Sequence, residues 1–111
     1  MATAVGDVFA DVVEVAAGAY MTVVPATDEE AEVRAITIDK GGKVEISQYD
    51  GTREVIVNTI DAPDGAIIPL LKTGGVGFGI TTANYLRVKN IGAAALEMGY
   101  TGFITKVPSG T

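Results

Sequence analysis

The chain contains no cysteine, no histidine and no tryptophan among its 111 residues. Without cysteine there is neither a disulfide framework nor a thiolate nucleophile. Without histidine, the Ser–His and Cys–His arrangements and the His-ligated zinc sites are excluded. No side chain therefore has an ordinary pKa near neutrality with which to act as a general base. These absences predict a protein that is not an enzyme.

Basic runs and long apolar runs are also missing. Eight Lys and Arg residues face fourteen Asp and Glu residues, which gives a net charge of −6 and a pI of about 4.4. An acidic surface repels phosphate backbones, so we expect no nucleic-acid partner. No apolar run is long enough to cross a bilayer, and no Lys/Arg-rich segment precedes an apolar stretch near Met1. We therefore expect cytoplasmic synthesis and no membrane contact.

The residues that are abundant favour β-structure. Val, Ile and Thr are stiff at χ1 and suit a pleated surface, and the 14 glycines are typical of many tight turns. The hydrophobic fraction is 48 % and the mean hydropathy is +0.33, both high for a soluble monomer. Apolar surface in excess of what one small core can bury indicates an oligomer.

The clearest strand pattern lies at 84–106. Leu86 and Val88 alternate with outward Tyr85, Arg87 and Lys89. A turn at 90–92 follows, and then Leu96, Met98, Tyr100 and Ile104 recur at even spacing. Gly99 and Gly102 interrupt this second strand and mark a place for a bulge.

A second set of strands is predicted over 32–59. Strands at 32–39, 44–49 and 53–59 are separated by the Gly-Gly turn at 40–43 and by Asp50-Gly51, which favours a type I′ hairpin. Two tight turns between three strands predict a meander. Because Val55, Ile56 and Val57 are consecutive, the third strand is predicted to be covered on both faces.

The remaining segments complete an all-β prediction. We expect strands at 11–16, 19–24, 66–72 and 76–81, an acidic loop at 27–31 and a turn at 73–75. Pro69 indicates that the 66–72 segment is an edge strand or contains a bulge. The alternative for 5–17 is a helix, because its apolar residues also fit helical spacing. The fold class is an antiparallel β-sandwich or jelly-roll-like domain of about eight to nine short strands. We expect an N-terminal arm at 1–10, the domain at 11–106 and a frayed tail at 107–111.

Two patterns invite a ligand. Asp61 and Asp64 share one loop, and the carboxylates of 28–30 share another, so either could bind Ca²⁺. The Asp-x-Asp-x-Asp-Gly pattern is absent, which favours solvated loops. The glycines of 74–79 follow a Gly-x-Gly-x-Gly spacing with no helix after them, unlike a dinucleotide fingerprint. We therefore expect no metal and no cofactor.

Three aromatic residues are the candidate interface residues. Tyr49 and Tyr85 fall on the outward parity of their strands, and Phe9 lies in the predicted arm. Tyrosine is enriched at protein–protein interfaces, and exposed rings also suit a carbohydrate-binding module. The arm itself could reach a neighbour by strand addition.

Several sequence features resemble a group of small virion proteins of tailed bacteriophages. They are Tyr-Leu-Arg-Val-Lys-Asn at 85–90, Gly-Tyr-Thr-Gly at 99–102 and Ile-Thr-Lys at 104–106. Upstream, Ala17-Gly18, Pro25 before the acidic 28–30 loop, and Tyr49-Asp50-Gly51 fall at the matching places.

The resemblance implies a β-sandwich on the outside of a capsid, of the decoration, cement or head-fibre-base kind. Such proteins often form trimers over the junctions between major capsid subunits. The major capsid protein and further copies of this chain are then the expected partners, and the capsid surface of the virion is the expected location. A tail or head–tail joining protein is the alternative within virions, and a carbohydrate-binding module is the alternative outside them.

Overall fold

The structure is a computed structural model that describes residues 4–70 and 77–108. Those residues form nine strands and no helix, which confirms the all-β prediction. The strands are β1 (Val8–Val15), β2 (Tyr20–Val23), β3 (Glu30–Ile38), β4 (Gly42–Tyr49), β5 (Glu54–Ala62), β6 (Ala66–Pro69), β7 (Phe78–Thr81), β8 (Tyr85–Asn90) and β9 (Leu96–Lys106).

The strands form two antiparallel sheets that pack as a β-sandwich. The five-stranded sheet has the order β1-β9-β3-β6, and β7 also pairs with β3; the four-stranded sheet has the order β2-β8-β4-β5. Two short strands share one edge of β3, since β7 pairs with Glu30–Val33 and β6 with Ala35–Ile38. Pro69 therefore lies on an edge strand, as its missing N–H predicts.

The core lies between the sheets and follows the predicted alternation. Leu86 and Val88 are fully buried, whereas Tyr85, Arg87 and Lys89 face outward. The other fully buried aliphatic side chains come from both sheets: Val23, Val33, Ile36, Val44 and Ile46. Each contributes roughly 1.5–3 kcal/mol relative to an exposed position.

The predicted three-stranded meander is wrong. β3 belongs to the five-stranded sheet and β4 to the four-stranded sheet, so the turn at 40–43 crosses from one sheet to the other. Ile38 and Val44 are both buried on either side of this turn. A Gly-Gly turn suits a hairpin and a crossing equally well, because either needs a residue with positive φ, here Gly41 at +80°.

β4 and β5 do form a hairpin, but its loop is longer than a type I′ turn. The four residues from Asp50 to Arg53 connect the strands, and Asp50 N donates to Arg53 O at 3.3 Å. Gly51 supplies the positive φ.

The N-terminal segment is a strand, so the helical alternative for 5–17 is wrong. β1 pairs along its whole length with β9. Gly6 N also donates to Ile104 O, and Ile104 N donates to Asp7 O, at 2.8 and 2.9 Å. The sandwich therefore takes in most of the predicted arm. Residues 1–3 of the arm, the predicted 73–75 turn and residues 109–111 of the tail lie outside the described residues.

The bulge expected near Gly99 and Gly102 lies on the neighbouring strand. The register between β3 and β9 shifts between Val33 and Ala35, which leaves Arg34 as the extra residue. A Cβ at Gly102 would overlap the carbonyl oxygen of Glu32. The glycine on β9 thus admits a bulge on β3 rather than forming one.

One buried polar residue joins three parts of the chain. Asn90 is 1 % exposed, and its side-chain amide donates to Val15 O and Ala94 O at 3.0 and 2.8 Å. Its Oδ1 accepts from Gly92 N at 3.0 Å. Both amide hydrogens and the carbonyl oxygen are thereby engaged in holding the β8–β9 connection against the end of β1.

Candidate protein-interaction surfaces

The outer face of the four-stranded sheet carries a cluster of tyrosines around one arginine. Arg87 lies at the centre of β8, and its guanidinium carbon is 4.0 Å from the ring centre of Tyr20 and 3.7 Å from that of Tyr49. Arg87 Nη2 donates to Glu54 Oε2 on β5. Period-two alternation places all these side chains on one face of neighbouring strands.

Glu54 stabilises the positive charge of Arg87 at the centre of this cluster. Burial by itself lowers the pKa of Arg87. The hydrogen bond and the negative charge of Glu54 raise this pKa by more, so that it lies above its ordinary value. The charge of Arg87 is therefore retained at any physiological pH. Two stacked rings and one carboxylate leave the guanidinium little freedom, which favours a structural role for the cluster.

Two of the candidate interface residues, Tyr49 and Tyr85, lie next to each other. They are paired across β4 and β8, and their rings meet edge-on with centres 5.7 Å apart at 80°. Both side chains are half-buried, and Arg87 covers one face of Tyr49.

Phe9 lies on the other sheet, remote from the two tyrosines. Its ring is 4.9 Å from that of Tyr100 and packs on the edge of the core, half-buried. Burial, with a smaller contribution from Asp11, raises the pKa of Tyr100. The contact made by Phe9 is thus within the chain.

The outer face of the five-stranded sheet is apolar and uncovered. Val12 on β1 is 69 % exposed and Ile67 on β6 is 74 % exposed, with Val8 and Phe103 exposed on the same face. Between Val12 and Ile67, Gly99 and Thr37 form a low floor. We call these residues and the groove between them the apolar face.

The groove on the apolar face is open and has an acidic rim. It has a volume of about 480 Å³ and runs from Val12 across Thr37 to Ile67. Asp39, Asp64 and Glu97 line it together with a single cation, Lys40. An apolar floor with mostly negative rims suits a partner that is apolar with a positive flank.

β5 is the second uncovered apolar surface, and here the prediction of a strand covered on both faces is wrong. Every side chain from Glu54 to Thr59 is exposed, including Val55 at 60 %, Ile56 at 53 % and Val57 at 44 %. β5 ends the four-stranded sheet, so within the described residues its far edge meets no other strand. Among residues 4–70 and 77–108, none covers these three apolar side chains, so they form an exposed surface.

The acidic loops are explained by local contacts. Asp50 Oδ1 accepts hydrogen bonds from Arg53 N and Thr52 N at 2.7 and 2.9 Å, and these bonds lower the pKa of Asp50. Asp61 lies 3.9 Å from Lys43 Nζ. Nowhere in 4–70 or 77–108 do three metal-binding side chains converge. The same residues include no helix that could cross a membrane.

The comparisons with known proteins bear on the fold. No protein-family model and no curated protein sequence matches the chain. Among solved structures, the chain is similar to the nucleoplasmin-like N-terminal domain of Drosophila FKBP39. The TM-score is 0.53 at 11 % identity, over 94 % of this chain and 95 % of that one. At this identity the similarity is one of fold alone.

The sequence alone identifies neither the cluster around Arg87 nor the exposed apolar surface of β5. The outward parity of Tyr85 was visible, but Glu54, Tyr20 and Arg87 meet only through strand order. Three consecutive apolar residues, as at Val55–Val57, usually indicate a buried strand. No local signal separates that case from an exposed edge strand, because the next strand, β6, belongs to the other sheet.

Proposed function

We propose that this protein is a non-enzymatic structural protein that assembles through its uncovered apolar β surfaces. The observation that carries the proposal is that β5 and the apolar face both expose large aliphatic side chains on an otherwise well-packed sandwich. Contiguous exposed apolar surface on a soluble protein is typical of interaction sites. The absence of histidine and cysteine supports a role without catalysis.

The finer proposal is a capsid decoration protein on the outside of a tailed-phage head. The resemblance over 85–106 supports it. A small sandwich with two apolar surfaces also offers one surface for the capsid and one for a further copy of the chain. Binding only to the assembled shell stabilises that shell by mass action, so no chemistry is required. In this proposal the partners are the major capsid protein and further copies of this chain.

Co-sedimentation tests the capsid role. The purified protein is mixed with shells of the major capsid protein from the same phage, before and after expansion of the shells. We expect saturable binding and a higher disruption temperature for the decorated shells. Failure to bind either kind of shell would reject decoration. Binding only at the portal vertex would point to the head–tail joining alternative instead.

A further inference from the structure

We propose that β5 of one copy docks on the apolar face of a second copy, so that the chain assembles head to tail. This inference rests on the proposed assembly through apolar surfaces but not on the capsid role. In this proposal, the Val55–Val57 segment of a neighbouring chain occupies the groove.

Two uncovered surfaces of the same character support this pairing. β5 belongs to the edge of the four-stranded sheet, whereas the groove lies on the outer face of the five-stranded sheet. One copy cannot bring them together, but two copies can. A β5-to-β5 contact would cover only one of the surfaces and leave Val12 and Ile67 in water. The head-to-tail contact covers both.

One cation beside β5 complements the acidic rim of the groove, and the two carboxylates of β5, Glu54 and Asp61, are paired with Arg87 and Lys43. Asp39, Asp64 and Glu97 line the groove, and Arg53 directly precedes β5. Arg53 lies two residues from Val55, or about 7 Å along an extended chain. Its exposed side chain makes no ion pair within 4.0 Å among the described residues. Docking Val55–Val57 over Thr37 brings this cation within reach of the acidic rim.

The length of β5 suits the groove. β5 has nine residues and is about 30 Å long, and its residues Glu54 to Thr59 are exposed. The groove runs from Val12 on β1 to Ile67 on β6, across three strand spacings or about 14 Å, so the exposed part of β5 is long enough to cross it. Because the two surfaces differ, the contact is heterologous, and repeating it around a closing rotation produces a ring.

A complementation experiment tests the proposal in solution. Ile56→Glu places a charge on β5, and Val12→Glu places one on the apolar face. Both positions are more than half exposed, so the fold should be retained, which circular dichroism and thermal melting check. Ala26→Glu adds the same charge to the exposed loop between β2 and β3, at the edge of the four-stranded sheet opposite β5 and at the end of β3 opposite Thr37, and is the matched control. Masses are measured by light scattering on a sizing column.

The expected masses are specific to a head-to-tail contact. Wild type and Ala26→Glu should form the same closed oligomer, and each of the other variants should be a monomer. An equimolar mixture of Ile56→Glu and Val12→Glu keeps one intact pair of surfaces, so it should form a dimer of twice the monomer mass and nothing larger.

Other outcomes overturn the inference. A mixture that stays monomeric, or a Val12→Glu variant that assembles like wild type, would show that β5 pairs with something other than the apolar face. A monomeric wild type would reject self-assembly, while shell binding would still decide the capsid role. If the substitutions unfold the chain, cysteine pairs replace them. In this cysteine-free protein, Ile56→Cys and Val12→Cys chains should cross-link to each other through a short bis-maleimide, and neither should cross-link to itself.

Discussion

The two outer faces of the sandwich are built from the same strand alternation and yet differ in character. On the four-stranded sheet, outward side chains find partners within the chain, since Arg87 is held by Tyr20, Tyr49 and Glu54. On the five-stranded sheet, outward Val12 and Ile67 have water on their outer side. The comparison teaches that outward parity does not by itself mark an interface. A cluster whose rings and charges contact one another is part of the fold, whereas we propose that the uncovered aliphatic face binds a second molecule.

The largest loss of stability should come from adding a methyl group at Gly99, in the floor of the apolar face. In Gly99→Ala, the new Cβ would lie 2.7 Å from Asp11 O and 2.8 Å from Thr37 Oγ1. Backbone must move, so we expect a loss of about 1–3 kcal/mol in the free energy of unfolding, measured by urea denaturation. Gly79→Ala on β7 meets nothing within 4 Å and is the control. Equal losses in both variants would contradict this account of the floor.

The next effect concerns the polar cluster. Arg87→Met removes the cation but keeps much of the aliphatic stem, and it leaves the Glu54 carboxylate without its partner. We expect a loss of about 1–2 kcal/mol in unfolding free energy. Lys89 lies farther from the Tyr20 ring, at 5.7 Å, so Lys89→Met should cost under about 0.5 kcal/mol. A double-mutant cycle with Glu54→Gln should show coupling between residues 54 and 87; additive losses would show that the pair contributes nothing.

Raising the salt concentration should strengthen assembly through the apolar face and weaken the Arg87–Glu54 ion pair on the four-stranded sheet. Each copy carries a charge of −6, so copies repel one another at low ionic strength. Raising the salt shortens the Debye length from about 30 Å at 0.01 M to about 10 Å at 0.1 M, which should strengthen assembly through the apolar face. The coupling between Arg87 and Glu54 should weaken over the same range. Light scattering and the double-mutant cycle, each repeated across the salt series, measure both trends. Assembly that dissociates as salt rises would show that charge pairs, and not aliphatic contacts, hold the copies together.

The smallest effects are the responses of the two sheets to pH. The lowered pKa of Asp50, in the hairpin of the four-stranded sheet, adds stability that is present above its ordinary value of 3.8 and is lost as pH falls below it. The raised pKa of Tyr100, on the five-stranded sheet, adds stability that is present below its ordinary value of 10.0 and is lost as pH rises above it.

Thermal melts across pH separate these two contributions. Asp50→Asn should flatten only the acid limb of the stability curve, and Tyr100→Phe only the alkaline limb. The asparagine retains an oxygen that can accept the turn's hydrogen bonds, so the fold should persist. An unchanged acid limb in Asp50→Asn would assign acid sensitivity to other carboxylates.

Most strands could be predicted from the sequence, because period two over residues such as Leu86, Val88, Ile36 and Ile38 reports which side chains are buried. Pro69 likewise marked an edge. The pairing of Tyr49 with Tyr85 was not predictable, although both were recognised as outward residues, because their strands are far apart in the chain. The bulge was assigned to the wrong strand, since Gly102 accommodates Arg34's bulge without itself departing from strand geometry.

The sequence by itself determined the local alternation, the turns and the absence of histidine and cysteine, since each depends on residue type and near neighbours. Only the tertiary structure decided that the 40–43 turn crosses between sheets, that β5 meets no further strand among the described residues, and that Gly99 lies between Val12 and Thr37. The physical reason is that strand order is set by long-range pairing. A tight turn and an alternating strand are compatible with either sheet, and only the packing of all nine strands selects between them.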